Sequence, residues 1–189
     1  LLVIDTSVTD YHHIHPKPTQ NAGEWAFDFT PKKDTSYRVW TDVIPAATGR
    51  QAYVKTDIGT AAISSHEIDK TLISKSEAGG YQFAISFEEP LIAEKAVMGK
   101  VTVTDKAGKP VNNLQPVMGA FAHIVGFGED GNSILHIHPM GKEPTSEAER
   151  GGPDLKFHIE PKKAEFVKLF VQTRINGKDL FAPLGVAVQ

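Results

Sequence analysis

The chain has 189 residues, a formal charge of −3 and no cysteine, which leaves room for one large domain or two small ones and removes disulfides, thiolate nucleophiles and Cys-type zinc sites. No basic run exceeds two residues, which argues against a nucleic-acid partner. No apolar stretch approaches the roughly 20 residues that a membrane helix needs.

The chain opens on LLVIDTSV, a strand-like run without an initiator Met. That opening suggests a mature or trimmed polypeptide, with any signal peptide upstream of Leu1. YHHIHPKP (11–18) follows, then WAFDFTPKKDTSYRVWTD (25–42) and QAYVKTDI (51–58). SSHEIDKTL (64–72) is a short helix candidate. SEAGG (76–80) reads as a join between two halves. Beyond it come strand patterns at 81–87, 99–105, 121–127, 134–139, 155–161, 165–175 and 179–189, separated by the turn signals AGKP, EDGN, GGPD, PKKA and NGK. SEAER (146–150) is a second short helix candidate. The predicted fold class is all-β: seven short strands with frequent turns point to an Ig-like or cupredoxin-like β-sandwich.

The first half repeats part of the second. Setting His13 on His136 aligns His15 with His138 and Pro16 with Pro139. After a seven-residue skip, Pro31-Lys32-Lys33 falls on Pro161-Lys162-Lys163, and Tyr37–Trp40 falls on Val167–Phe170. QAYVKTDI then matches the last strand. The expected organisation is a tandem pair: a partial first sandwich with its connector over 1–75, and a complete second sandwich over 76–189. The first copy begins at its third strand and lacks two. Trp25, Trp40, Phe157 and Phe170 fall at or near paired repeat positions and read as core.

Four of the eight histidines lie in the two His-Ile-His-Pro tetrapeptides. A tight hairpin turn at Asp130-Gly131 sets His123 directly across from His138. Directly opposed Cβ atoms lie about 4.5–5.5 Å apart. His136 shares the face of His138. Three imidazoles on one patch of sheet suit Zn(II), Cu(II), Ni(II) or Fe(II). The candidate metal ligands are therefore His123, His136 and His138. Met118, Met140 and Glu143 are further candidates, and a thioether tilts the preference toward copper. His13 and His15 form a partial or degenerate first-copy site, with His12 on the opposite face. The residue matching His123 in the first copy precedes Leu1. The competing reading makes these histidines structural or solvated. His66 and His158 stand alone and read as structural or surface residues.

GNSILHIHPMGKE approximates the first cupin motif. However, Gly131 to His136 is one residue short, no second motif follows, and Gln20 stands where Glu143 would repeat. No nucleophile elbow, phosphate loop or dinucleotide fingerprint is present, so no catalytic residue is assigned.

Lys109-Pro110-Val111, Leu114-Gln115-Pro116, Met118–Val125, Leu135–Pro139 and Val167–Gln172 together resemble bacterial secreted or periplasmic sandwich domains of the YtkA-like and CopC-like style, near the cupredoxin-like group. The resemblance covers 80–189, with 1–58 as the partial copy. It implies an extracytoplasmic protein and a transition-metal cofactor, copper or zinc. The chain departs from it in having no Met-rich motif. Lacking Cys, it also cannot build a blue-copper centre of the His₂Cys type. Three functions follow as expectations: metal carriage or sensing, a structural or interaction module with incidental histidines, and a cupin-like metal-dependent enzyme. An incomplete first sandwich exposes sheet edges, which makes a second chain or a protein partner an expectation as well.

Overall fold

A computed structural model describes residues 1–59, 68–137 and 139–189, with His136 described by its backbone only. The described residues are all-β and divide into two compact units, Leu1–Asp69 and Lys70–Gln189. Of the predicted helix at 64–72, residues 64–67, His66 among them, lie outside the described residues, and 68–72 are not helical. The predicted helix at 146–150 is instead a turn, closed by the Glu149 amide donating to the Ser146 carbonyl at 3.2 Å. Five residues without an apolar stripe have nothing to hold a helix against the domain.

The first unit holds β1 (Leu2–Asp5), β2 (Tyr11–His13), β3 (Lys17–Pro18), β4 (Trp25–Ala26), β5 (Tyr37–Val43) and β6 (Ala52–Ile58). Its main sheet has the order β2-β1-β5-β6, and β3 pairs with β4 in a separate ribbon. Val3, Tyr37 and Val39 are buried on one face, with Leu1, Ile14, Phe27, Phe29 and Ile58 packed against them.

The second unit holds β7 (Lys75–Ala78), β8 (Tyr81–Phe87), β9 (Val97–Asp105), β10 (His123–Gly128), β11 (Ile134–Ile137), β12 (Asp154–Ile159), β13 (Phe166–Ile175) and β14 (Lys178–Ala187). Two four-stranded antiparallel sheets form, β11-β10-β13-β14 and β12-β9-β8-β7. Both contribute to one core. Phe83, Val101, Val103, Leu155 and Phe157 come from one sheet, and Ile124, Leu169, Val171, Ala182 and Leu184 from the other. The sequence dictates the faces: β12 alternates exposed Asp154, Lys156 and His158 with buried Leu155, Phe157 and Ile159. β13 is buried almost throughout and accordingly reads as a nearly continuous apolar run. The segment read as a join overlaps β7, paired with β8 across a Gly79-Gly80 turn in which both glycines have positive φ.

The main sheets of the two units share strand order and register. Leu2 pairs with His13 and with Trp40. Val125, its counterpart, pairs with His136 and with Phe170. Arg38 pairs with Asp57 as Lys168 pairs with Gly185. The PKK motif recurs for a local reason. Lys33 Nζ reaches Ser7 Oγ at 3.0 Å, and Lys163 Nζ reaches Asp130 Oδ2 at 2.6 Å. Ser7 and Asp130 occupy matching positions in the β1–β2 and β10–β11 turns, so each lysine ties down the tip of its hairpin. The second sheet does not recur: β4 matches β12, but three strands, β7, β8 and β9, have no counterpart among the described residues of the first unit. The sequence pattern alone had suggested two.

Candidate functional site

His123 opens β10 at the end of a long connection from β9. Just before it, Val117 and Ala120 bridge across a tight turn whose central residues, Met118 (φ 48°) and Gly119 (φ 84°), are both left-handed. The His123 ring is buried, and its Nε2 lies 2.9 Å from the Val117 carbonyl oxygen. A carbonyl only accepts, so Nε2 carries the proton and donates. Nδ1 is then the ring's lone-pair atom. This bond pins the Met118 turn to the sheet. It is also the bond by which a metal-bound histidine is commonly oriented.

The β10–β11 ladder runs Phe127↔Ile134, Gly126↔Leu135, Val125↔His136 and Ile124↔Ile137. This is the register expected from the sequence, reached through a different turn. The ladder closes between Gly128 and Ser133, and the loop is four residues rather than two, with Gly131 at φ 62°. The Asp130 carboxylate accepts from the Asn132 and Ser133 amides at 2.7 and 2.9 Å. Burial works to raise its pKa. Lys163 and these two amides outweigh burial and hold it at about 2. A change from two to four residues preserves side-chain parity, so the register survives. His138 and the side chain of His136 lie outside the described residues.

Of the further candidates, Met118 is half-buried at its turn, while Met140 and Glu143 are exposed. Met140 and Glu143 line a cleft of about 230 Å³ with Phe121, Pro139, Asp154 and Leu155, at the end of the His-Ile-His-Pro segment; Met118 is not part of it. Among the described residues, no three His, Asp or Glu side chains gather so as to hold a metal. His158 is exposed on β12.

In the first unit, His13 and His15 stand side by side, ring centroids 5.6 Å apart and edge-on. His12 faces the other way. Its Nε2 lies 3.0 Å from Asp10 Oδ1, and its ring packs edge-on against Phe29. Here sequence reasoning missed a feature. The segment Asp5-Thr6-Ser7-Val8-Thr9-Asp10 folds around two buried carboxylates. Asp5 accepts from the amides of Ser7, Thr9 and Asp10 at 3.1, 2.7 and 2.7 Å, and from the Ser7 hydroxyl. Asp10 accepts from the Tyr37 hydroxyl at 2.6 Å and the Lys32 amide at 2.8 Å. Burial pushes both carboxylates upward in pKa, but the hydrogen bonds win and hold both below the ordinary value. Burial, together with the bond to Asp10, lifts the Tyr37 hydroxyl to about 12. The signal was an Asp followed by Ser and Thr at two and four residues, the pattern of a carboxylate closing a turn on its own backbone. Its role is structural: it shapes the β1–β2 turn.

No curated protein matches this chain. Residues 76–189, more than half of the chain and all but the first few residues of the second unit, match a family known only as a domain of unknown function, DUF8832. The chain belongs to the DUF8832 family.

Proposed function

We propose that the second unit binds a transition metal, copper or zinc, through His123, His136 and His138, for carriage or sensing outside the cytoplasm rather than for catalysis. The observation that carries this reading is the Ile124↔Ile137 pair. One further step in the same register would set His123 across from position 138. His123 would coordinate through Nδ1, with Nε2 held by the Val117 carbonyl. Met140 and Glu143, which line one cleft, and Met118, in the turn that His123 holds, are the candidates for a further ligand. Copper or zinc suits imidazole donors. The extracytoplasmic setting rests on the resemblance to YtkA-like and CopC-like domains.

Elemental analysis of untagged protein beside the His136→Ala/His138→Ala variant tests this reading. The expected result is roughly one copper or zinc per chain, lost in the variant. No metal in either protein, with no uptake on titration with Cu(II) or Zn(II), sinks it. One observation favours a second reading, an interaction module with incidental histidines: the apolar surface that the first unit leaves open.

A further inference from the structure

The two main sheets match strand for strand, yet their inner faces differ. In the second unit, Leu155 on β12 is 5% exposed and Ala182 on β14 is 0% exposed, covered in a core that β8 and β9 complete. At the matching positions of the first unit, Trp25 is 62% exposed and Val54 is 59% exposed. Val43 is exposed where Thr173 is buried, and Thr56 is exposed where Leu184 is buried. Trp25, read as core from its repeat position, is thus at the surface. The position was identified correctly, but the strands that bury its counterpart are missing. Single exposed apolar residues are ordinary, whereas a contiguous apolar face is a site waiting for a partner.

The second unit also shows what shape of partner fits. Its cover is a three-stranded antiparallel meander, β7–β8–β9, whose last strand pairs edge to edge with β12 from Val97↔Ile159 to Thr102↔Asp154. Among the described residues, β4, the counterpart of β12, pairs only with β3. Among the described residues, the first unit therefore leaves open the part of its inner face beyond the buried Val3, Tyr37 and Val39, and a strand edge of the kind that β9 fills. The meander stands immediately ahead of β10 in chain order, and β10 is the counterpart of β1.

We propose that the open face of the first unit is the seat of a β7–β9-like three-stranded segment of the same polypeptide, joined to the front of β1 and pairing through its last strand with β4. The occupant is a sheet with alternating apolar residues on the side that meets Trp25, Val43 and Val54. The proposal follows from the repeated register and the uncovered face, and it is independent of any metal.

The test compares the 189-residue chain with the chain extended by whatever residues its gene encodes ahead of Leu1. Both carry Trp40→Phe, the residue found at the matching position 170, and any tryptophan ahead of Leu1 is likewise replaced by Phe, so that Trp25 is the sole tryptophan. The proposal expects the extended chain to be monomeric, with blue-shifted Trp25 emission and slowed amide exchange in β4 and β6. Three results overturn it. The first is a reading frame with no room ahead of Leu1 for a segment as long as Lys75–Ala122. The second is an extended chain whose Trp25 emission and β6 exchange are unchanged. The third is a 189-residue chain that buries Trp25 by dimerising, which assigns the face to a second copy.

Discussion

Asp5→Asn is expected to unfold the first unit while the second stays folded. The wild-type carboxylate is buried and gathers three backbone amides and a hydroxyl, all donors. An asparagine turns one of its two acceptor atoms into a donor. It thereby leaves at least one amide unsatisfied and sets N–H against N–H. Losing a charge-assisted acceptor while burying unsatisfied groups costs about 2–4 kcal/mol. The unit that must absorb this is small: its buried cluster of Val3, Tyr37 and Val39 is joined by few other buried apolar residues, among them Leu2, Ile4 and Trp40, and small cores leave little margin. Both tryptophans, Trp25 and Trp40, lie in the first unit, so tryptophan emission reports that unit alone. Urea titration read by emission should show the midpoint collapse in the variant. The sheet signal of the second unit, read by far-UV circular dichroism, should persist. An unchanged emission midpoint refutes the assignment of Asp5 as the turn's anchor.

The same carboxylates set an acid limit with a definite sign. Asp5 and Asp10 have folded-state pKa values below their unfolded ones. Their contribution is therefore fully present above the unfolded value of about 4 and is lost as pH falls through the folded values. Emission-detected unfolding should set in only below about pH 4, and Asp10→Asn should reduce that acid dependence. A transition centred between pH 5 and 7 would point to histidine instead.

Phe157→Ala should be the most damaging single change in the second unit, at about 3–5 kcal/mol. The ring has no exposed surface and meets Phe87 edge-on at 5.9 Å. It lies over Gly99, its cross-strand partner, where an added Cβ would come within 2.4 Å of the ring. Gly99 is thus a space made for Phe157, an aromatic over a glycine in the neighbouring strand. Three consequences can be measured by denaturant midpoint. Gly99→Ala alone should destabilise by overpacking. Gly99→Ala with Phe157→Ala should cost less than the two singles added, because the new methyl enters the vacated volume. Phe27→Ala, at the matching and only half-buried position of the first unit, should cost well under half of Phe157→Ala. Additive behaviour of the 99/157 pair would show that the two residues do not share that space.

Much of this architecture was legible because it is written in period two. The strands from 81 to 189 follow their alternation, and the repeat surfaced through HIHP and PKK. Those motifs persist where the backbone register and the hairpin-tip lysine require them. β7 escaped notice because Lys-Ser-Glu-Ala carries no apolar alternation and is held by pairing with β8 and by the Gly79-Gly80 turn. The Asp130 turn was misjudged in length but not in register, since Asp130 closes a four-residue loop as readily as Asp-Gly closes two. Trp25 was placed in a core because the sequence carries its repeat position but not the strands above it. Of the proposed metal ligands, His123 is now fixed in tautomer by Val117, and Met118 does not line the cleft that holds Met140 and Glu143.

The β13–β14 hairpin has a bearing on how the chain first becomes ordered. Its ten pairs run without interruption from Ile175↔Lys178 to Phe166↔Ala187, across an Asn176-Gly177 turn with φ of 52° and 74°. A two-residue closure incurs the smallest entropic penalty a hairpin can have, and such elements form in microseconds. The corresponding β5–β6 hairpin must close the longer loop Ile44–Gln51. The β9–β12 ladder joins residues as distant as Thr102 and Asp154. Nucleation of the second unit therefore belongs at this hairpin, and the ladders that join distant segments of that unit form after it.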